Sequence, residues 1–126
     1  MLTCYSGILY LLAVFARQSN VRPADVEAMI AISPTQRLEA IETDEFWGGA
    51  ETPASIRESV QEALSRYSEF LELTHQNVRQ AVRQYRKDEA NWRAKSYAFG
   101  QSLATLVDVL GETSEAAARL RRLIII

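Results

Sequence analysis

The chain has 126 residues, with 14 basic and 16 acidic side chains and a formal net charge of −2. That length suits one domain with its own core, and 48% apolar residues exclude a disordered chain. The near-balance of charge excludes a global pull toward nucleic acid or an anionic membrane, and a lone cysteine, Cys4, excludes an intrachain disulfide or a thiolate metal cluster and suits a reducing, cytoplasmic setting.

The first element predicted is a helix over Leu2–Gln18. Its run Leu2–Ala16 is nearly all apolar but falls short of the roughly 20 residues a spanning helix needs. No basic residue precedes it, as a secretory signal would require. It reads as a helix buried on most sides, with a membrane-associated segment as the lesser alternative. Ser19-Asn20 offers a stop. Pro23 suits the first turn of a second helix, where its missing N–H has no partner to lose, and that helix runs Pro23–Ala31 with Val26, Met29 and Ile30 inward. Ser33-Pro34-Thr35-Gln36 is a start signal: Ser33 as N-cap, Pro34 at the first helical position, Gln36 reaching back. The third helix is Pro34–Ile41 with Leu38 and Ile41 inward. Residues 1–42 thus form a subdomain of short helices.

Thr43–Thr52 reads as a loop, broken by Gly48-Gly49 and kept wet by its acids. Phe46 and Trp47 are out of place in a solvated linker. They are expected to fold back onto the helices as a plug, with a docking anchor for another protein as the sharper alternative.

Residues 53–126 carry the long helix and a short last one. The long helix begins at Thr52-Pro53, or at Ser55 with Glu58 completing a capping box. Leu64, Leu71, Val78, Tyr85, Trp92, Phe99 and Leu106 recur every seventh residue, and neither Gly nor Pro falls between Ala54 and Phe99. A seven-residue period keeps side chains on one seam of a helix. As one straight helix, Ala54–Phe99 is about 69 Å long, whereas a compact chain of this size is about 35–40 Å across. The helix either folds back near Asp88–Asn91 or projects and pairs with another chain. The absence of turn residues favours continuity, so the expectation is one very long central helix, about 54–110. Gly111 is expected to cap it. A last helix over Ser114–Ile124 presents Ala117, Leu120, Leu123 and Ile124 inward. The closing Leu123–Ile126 reads as a packed terminus or as the stub of a longer chain. No stretch alternates as a strand does, and the fold class expected is an all-α helical bundle in a single domain.

The row beside the seam (Tyr67, Thr74, Ala81, Asp88, Lys95, Ser102, Val109) is polar in the middle. An unpaired Asp88 or Lys95 buried there would cost several kcal/mol, which argues against a parallel zipper and for an antiparallel or mixed helical interface. The function expected is a non-enzymatic oligomerisation or adaptor module, without a cofactor, that associates through the seven seam residues with a second copy or with a helical partner.

Three rivals have residues to their name. Ala24–Ile41 resembles a helix-turn-helix through Ala28 at the crossing, Ala31, Leu38 and Ile41. Ile32 stands where a turn glycine is usual, and Glu27 and Ser33 where apolar residues are. In a dimeric DNA-binding regulator, Thr35, Gln36 and Arg37 would face the major groove. Arg79, Arg83 and Lys87, on a basic face with no acid between Leu73 and Lys87, would track phosphates. The net acidity of residues 1–50, three basic against six acidic side chains, opposes that attraction. Glu72 and His75 form an E-x-x-H, the spacing by which bundle helices hold paired metals. The motif and its histidine occur once, so a metal site would require another copy. The third rival is membrane association through Leu2–Ala16.

Overall fold

Side-chain chemistry sets most of the helix boundaries. The computed structural model describes Leu2–Ile124 and contains seven α-helices and no strand among those residues. They are α1 (Leu2–Gln18), α2 (Pro23–Ile30), α3 (Pro34–Ile41), α4 (Ala54–Thr74), α5 (Val78–Lys87), α6 (Glu89–Gly111) and α7 (Glu115–Arg121). The closing Ile125 and Ile126 lie outside the described residues.

Helix α1 stops where Ser19 turns left-handed, at φ 60°. Before α2, the Asp25 carboxylate accepts the Arg22 N–H at 2.8 Å. The Ser33 box forms as the sequence predicts: Gln36 N–H donates to Ser33 Oγ, and Ser33 N–H to Gln36 Oε1 at 2.9 Å. Helix α4 begins after Pro53, and Ser55 lies inside it rather than capping it. Ser114 caps α7 by accepting the Ala117 N–H.

The span expected to be one long helix, about 54–110, is helical over most of its length, but as two long helices with a short one between them rather than as one continuous rod. The chain leaves α4 after Thr74 and restarts at Asn77, whose side chain accepts the Gln80 N–H at 3.0 Å. It bends again at Asp88, at φ −142° and ψ 50°. The second break falls inside the polar window Asp88–Asn91 where a fold-back is readable. The first has neither Gly nor Pro, only an asparagine that serves the backbone as a cap. The two long pieces, of 21 and 23 residues, lie antiparallel, Tyr67 and Phe70 both meeting Phe99 at ring-centroid distances of 5.5 and 6.1 Å.

The core gathers at one end of this α4–α6 hairpin. Helix α1 packs on α3, α6 and α7, and α3 packs on α4. Leu9, Leu12, Leu38, Ile41, Ile56, Val60, Leu103, Leu106 and Leu110 are fully buried among them. Each such side chain contributes about 1.5–3 kcal/mol by leaving water. Ile30 departs from expectation: it is 66% exposed, because the two-turn α2 packs chiefly on α1 and Ile30 meets no second surface. Gly111 is the last residue of α6 rather than a cap beyond it, and it is buried. A Cβ there would run into the Arg121 side chain, so glycine lets α7 lie close against α6.

The loop between α3 and α4 is tied at both ends. Phe46 is buried, edge-on to Tyr10 at 5.5 Å. Trp47 is half-buried, and its indole N–H donates to Ile41 O at 2.8 Å. Arg17 donates to Phe46 O at 2.6 Å with its guanidinium 4.7 Å from the ring centroid. Asp44 accepts both the N–H and the hydroxyl of buried Thr52, each at 2.8 Å, and Arg57 at 3.1 Å.

Candidate association surface

The seven seam residues do not share one surface. Phe99 and Leu106 are in the core, and Leu64 packs against it half-buried. Toward the other end of the hairpin the row emerges. Leu71 is 42% exposed, Val78 79% and Tyr85 38%, with Trp92 half-buried. The row divides because α6 covers α4 as far as Phe70, while α5 crosses the open end with no element over it.

Helix α5 explains the exposure. Its apolar residues Val78, Ala81, Val82 and Tyr85 fall at i, i+3, i+4 and i+7, which is one helix face. None of its residues is buried. At about 100° per residue, Arg86 and Arg79 border that apolar strip on one side and Gln84 borders it on the other, while Arg83, Lys87 and Gln80 lie on the opposite face of the helix. Gln84 is already paired, accepting from Gln76 at 2.8 Å. Tyr85 meets Trp92 edge-on at 5.9 Å. Phe70, Tyr85, Trp92, Ala94 and Tyr97 line an open apolar recess of about 780 Å³ beside it. Tyr97 is 74% exposed. The seven-residue row omits it, and also Phe70 and Val82, because they stand off the seam. The i, i+4 step from Val78 to Val82 and the aromatic density of residues 85–99 are the signals that would have found Val82 and Tyr97.

The charge of this tip is uneven too. Between Leu71 and Tyr97 there are six basic and three acidic side chains, against eight basic and thirteen acidic in the rest of the chain. Arg93 lines the recess. Its pKa is raised, first by the Tyr85 hydroxyl beside it and then by Glu89, whose carboxylate is 2.6 Å away. It therefore remains cationic at all ordinary pH.

The other candidate residues are placed elsewhere and are occupied. Gln36 is bound into the Ser33 cap, and Thr35 is within 3.2 Å of Ser33 Oγ. Arg37 donates to Met29 O at 2.9 Å, to Thr3 O at 3.2 Å and to Ser6 Oγ at 3.3 Å. It ties α3 to α1 and α2 and does not project. Ala28 is exposed rather than set in a tight helix crossing. Phe46 and Trp47 serve the intrachain core, as the plug reading expects. His75 lies beyond the end of α4, at φ −77° and ψ 43°, so it does not project from the helix that carries Glu72. Among the described residues no three His, Cys, Asp or Glu side chains are grouped to hold a metal ion. No helix among them is long and apolar enough to cross a membrane. Comparison with protein-family models, with curated proteins and with solved structures finds no match to the chain.

Proposed function

We propose that this chain is a non-enzymatic association module whose working surface is the open end of the α4–α6 hairpin. One observation carries the reading: Leu71, Val78, Val82, Tyr85 and Tyr97 expose apolar surface together at that end, while the same apolar row is sealed at the other. Scattered exposed apolar residues need no explanation, but a contiguous set rimmed by charge marks a contact site. Its aromatic content matches the residues that anchor protein interfaces. The α4–α6 hairpin holds that end out from a core built with α1, α3 and α7, which is how a rigid adaptor presents a contact.

Photo-crosslinking from the tip tests this. With benzoylphenylalanine at position 97, discrete adducts form in cells that produce the protein. At Gln61, exposed on α4 away from the recess, they do not. Equal labelling at both positions would overturn the reading. An adduct at twice the chain's mass identifies a second copy, and one of any other mass a different protein.

A further inference from the structure

The tip's chemistry selects among partners. Three facts bear on the choice. The apolar strip of α5 runs beside a recess, so the surface is concave and takes a ridge or a protruding side chain rather than a plane. The strip is flanked by cations on one side only, Arg79 and Arg86 seven residues apart, and the opposite flank is Gln84. The corners on either side of α5 carry acids, the exposed Glu72 at one and Asp88 and Glu89 at the other.

We infer that the tip binds an acidic amphipathic helix of another protein, with its apolar ridge along Val78, Val82 and Tyr85, one large side chain in the recess between Tyr85, Trp92 and Tyr97, and its carboxylates against Arg79 and Arg86. This rests on the association reading above and gives it a partner class. A helix laid along α5 presents its own side chains with the same two-turn repeat, so carboxylates seven residues apart on one of its edges meet Arg79 and Arg86. Charge on a single flank also fixes the partner's direction and tilt, which is what complementary charge contributes to recognition.

The two other occupants fit less well. A flat anionic membrane leaves the recess unfilled and brings Glu72, Asp88 and Glu89 toward like charge. A second copy docked tip to tip on a two-fold axis sets one basic surface against another. Nor does α4 offer free acids to a neighbouring tip along its middle: Glu62 and Glu69 are paired with Arg66 at 2.7 and 3.3 Å.

The test is selection of a library of random helical peptides, about 18 residues long, on the full chain, with counter-selection on the Arg79→Glu/Arg86→Glu variant. The peptides recovered carry a net negative charge and an apolar stripe at i, i+3 or i+4, and i+7. Labelled copies bind with affinity that falls at least about tenfold when their acids become amides, and about as far on the charge-reversed variant. Raising the salt from about 50 to about 500 mM weakens binding further, as screening of an exposed contact requires. The charge-reversed variant keeps its thermal midpoint, since both arginines are exposed on a helix without buried residues.

Peptides recovered without enrichment of acids, or bound equally by the variant, overturn the acidic partner and leave the association reading standing. Vesicles of one-third phosphatidylglycerol in phosphatidylcholine that sediment the protein while no peptide binds overturn it in favour of a membrane. A dimer mass lost on Tyr97→Glu, with no peptide bound, overturns it in favour of a second copy. No peptide, no vesicle binding, no dimer and no adduct from position 97 would overturn both readings together.

Discussion

One apolar row runs through two environments. At the core end of the hairpin, Leu106 and Phe99 are enclosed by α1, α4 and α6. At the tip, Leu71, Val78 and Tyr85 from the same row face water. The residue types are similar and the period is unbroken, so the difference lies in what lies over each position. At the core end the short N-terminal helices and α7 close over the hairpin. At the tip there is only α5, ten residues long, and no residue of its apolar face is buried. A sealed stretch contributes to folding, while an equally apolar open stretch is available for contact.

The contrast predicts unequal costs for equal truncations. Leu106→Ala should cost about 2–5 kcal/mol of stability, the range for emptying a fully buried leucine site. Leu71→Ala should cost under about 1 kcal/mol, because little transfer from water is lost there. Urea denaturation of the two variants measures both, and comparable values would mean that the tip is as much core as the base.

A local version concerns the first helix break. Asn77→Ala removes the cap of α5 and should weaken that helix by about 1 kcal/mol. Faster amide exchange should appear across Val78–Lys87 with the core amides unmoved. Exchange that rises throughout would show α5 to be integral to the fold.

Acid should act on the base and not on the tip. The Asp44 carboxyl is held below its ordinary value of 3.8, chiefly by the Thr52 N–H, then by the Thr52 hydroxyl and Arg57. Asp25 is held below it by the Arg22 N–H first and the Gln18 amide after it. Both are needed charged, so their contribution is complete above the unfolded-chain value near 3.8 and is lost as pH falls through the lower folded value. Asp44→Asn should flatten the fall in melting temperature below about pH 4, with circular dichroism as the readout. An unchanged acid limb would place the sensitivity elsewhere. The smallest expected effect belongs to Tyr97→Ser, within about 0.5 kcal/mol of the parent stability though it removes the tip's most exposed ring. A larger loss by thermal melting would mean that Tyr97 supports the recess rather than lining it.

Much of this architecture is legible in the chain. Pro23, Ser33-Pro34 and the capping reach of Gln36 mark helix starts by local chemistry, which tertiary context rarely overrides. Leu38, Ile41, Ile56 and Val60 declare inward faces by their spacing. The break at His75–Asn77 is not legible by the same rules, because asparagine is tolerated inside helices as well as at their starts, and nothing nearby forbids continuation. The candidate surface is half legible for a related reason. Periodicity states that one side of a helix is apolar and is silent on what covers it, so Phe99 and Tyr85 look alike until α1 and α5 are placed. Ile30 is misread on the same ground.

The clasp on the loop has a consequence for the chain cut in two. Gly48 and Gly49 are exposed, at φ 75° and 84°, and are the natural place for a protease to enter. Phe46 just before them is fixed by Arg17, and Thr52 just after them by Asp44. A single nick between the glycines would therefore leave both anchors in place, with Asp44 still accepting from Gly49, Thr52 and Arg57 across the cut. The fragments 1–48 and 49–126 would stay together through α1 against α6 and α3 against α4, and neither could bury its apolar face alone. Expressed as separate polypeptides they should reassemble, which makes this loop a split site whose halves report on each other's folding.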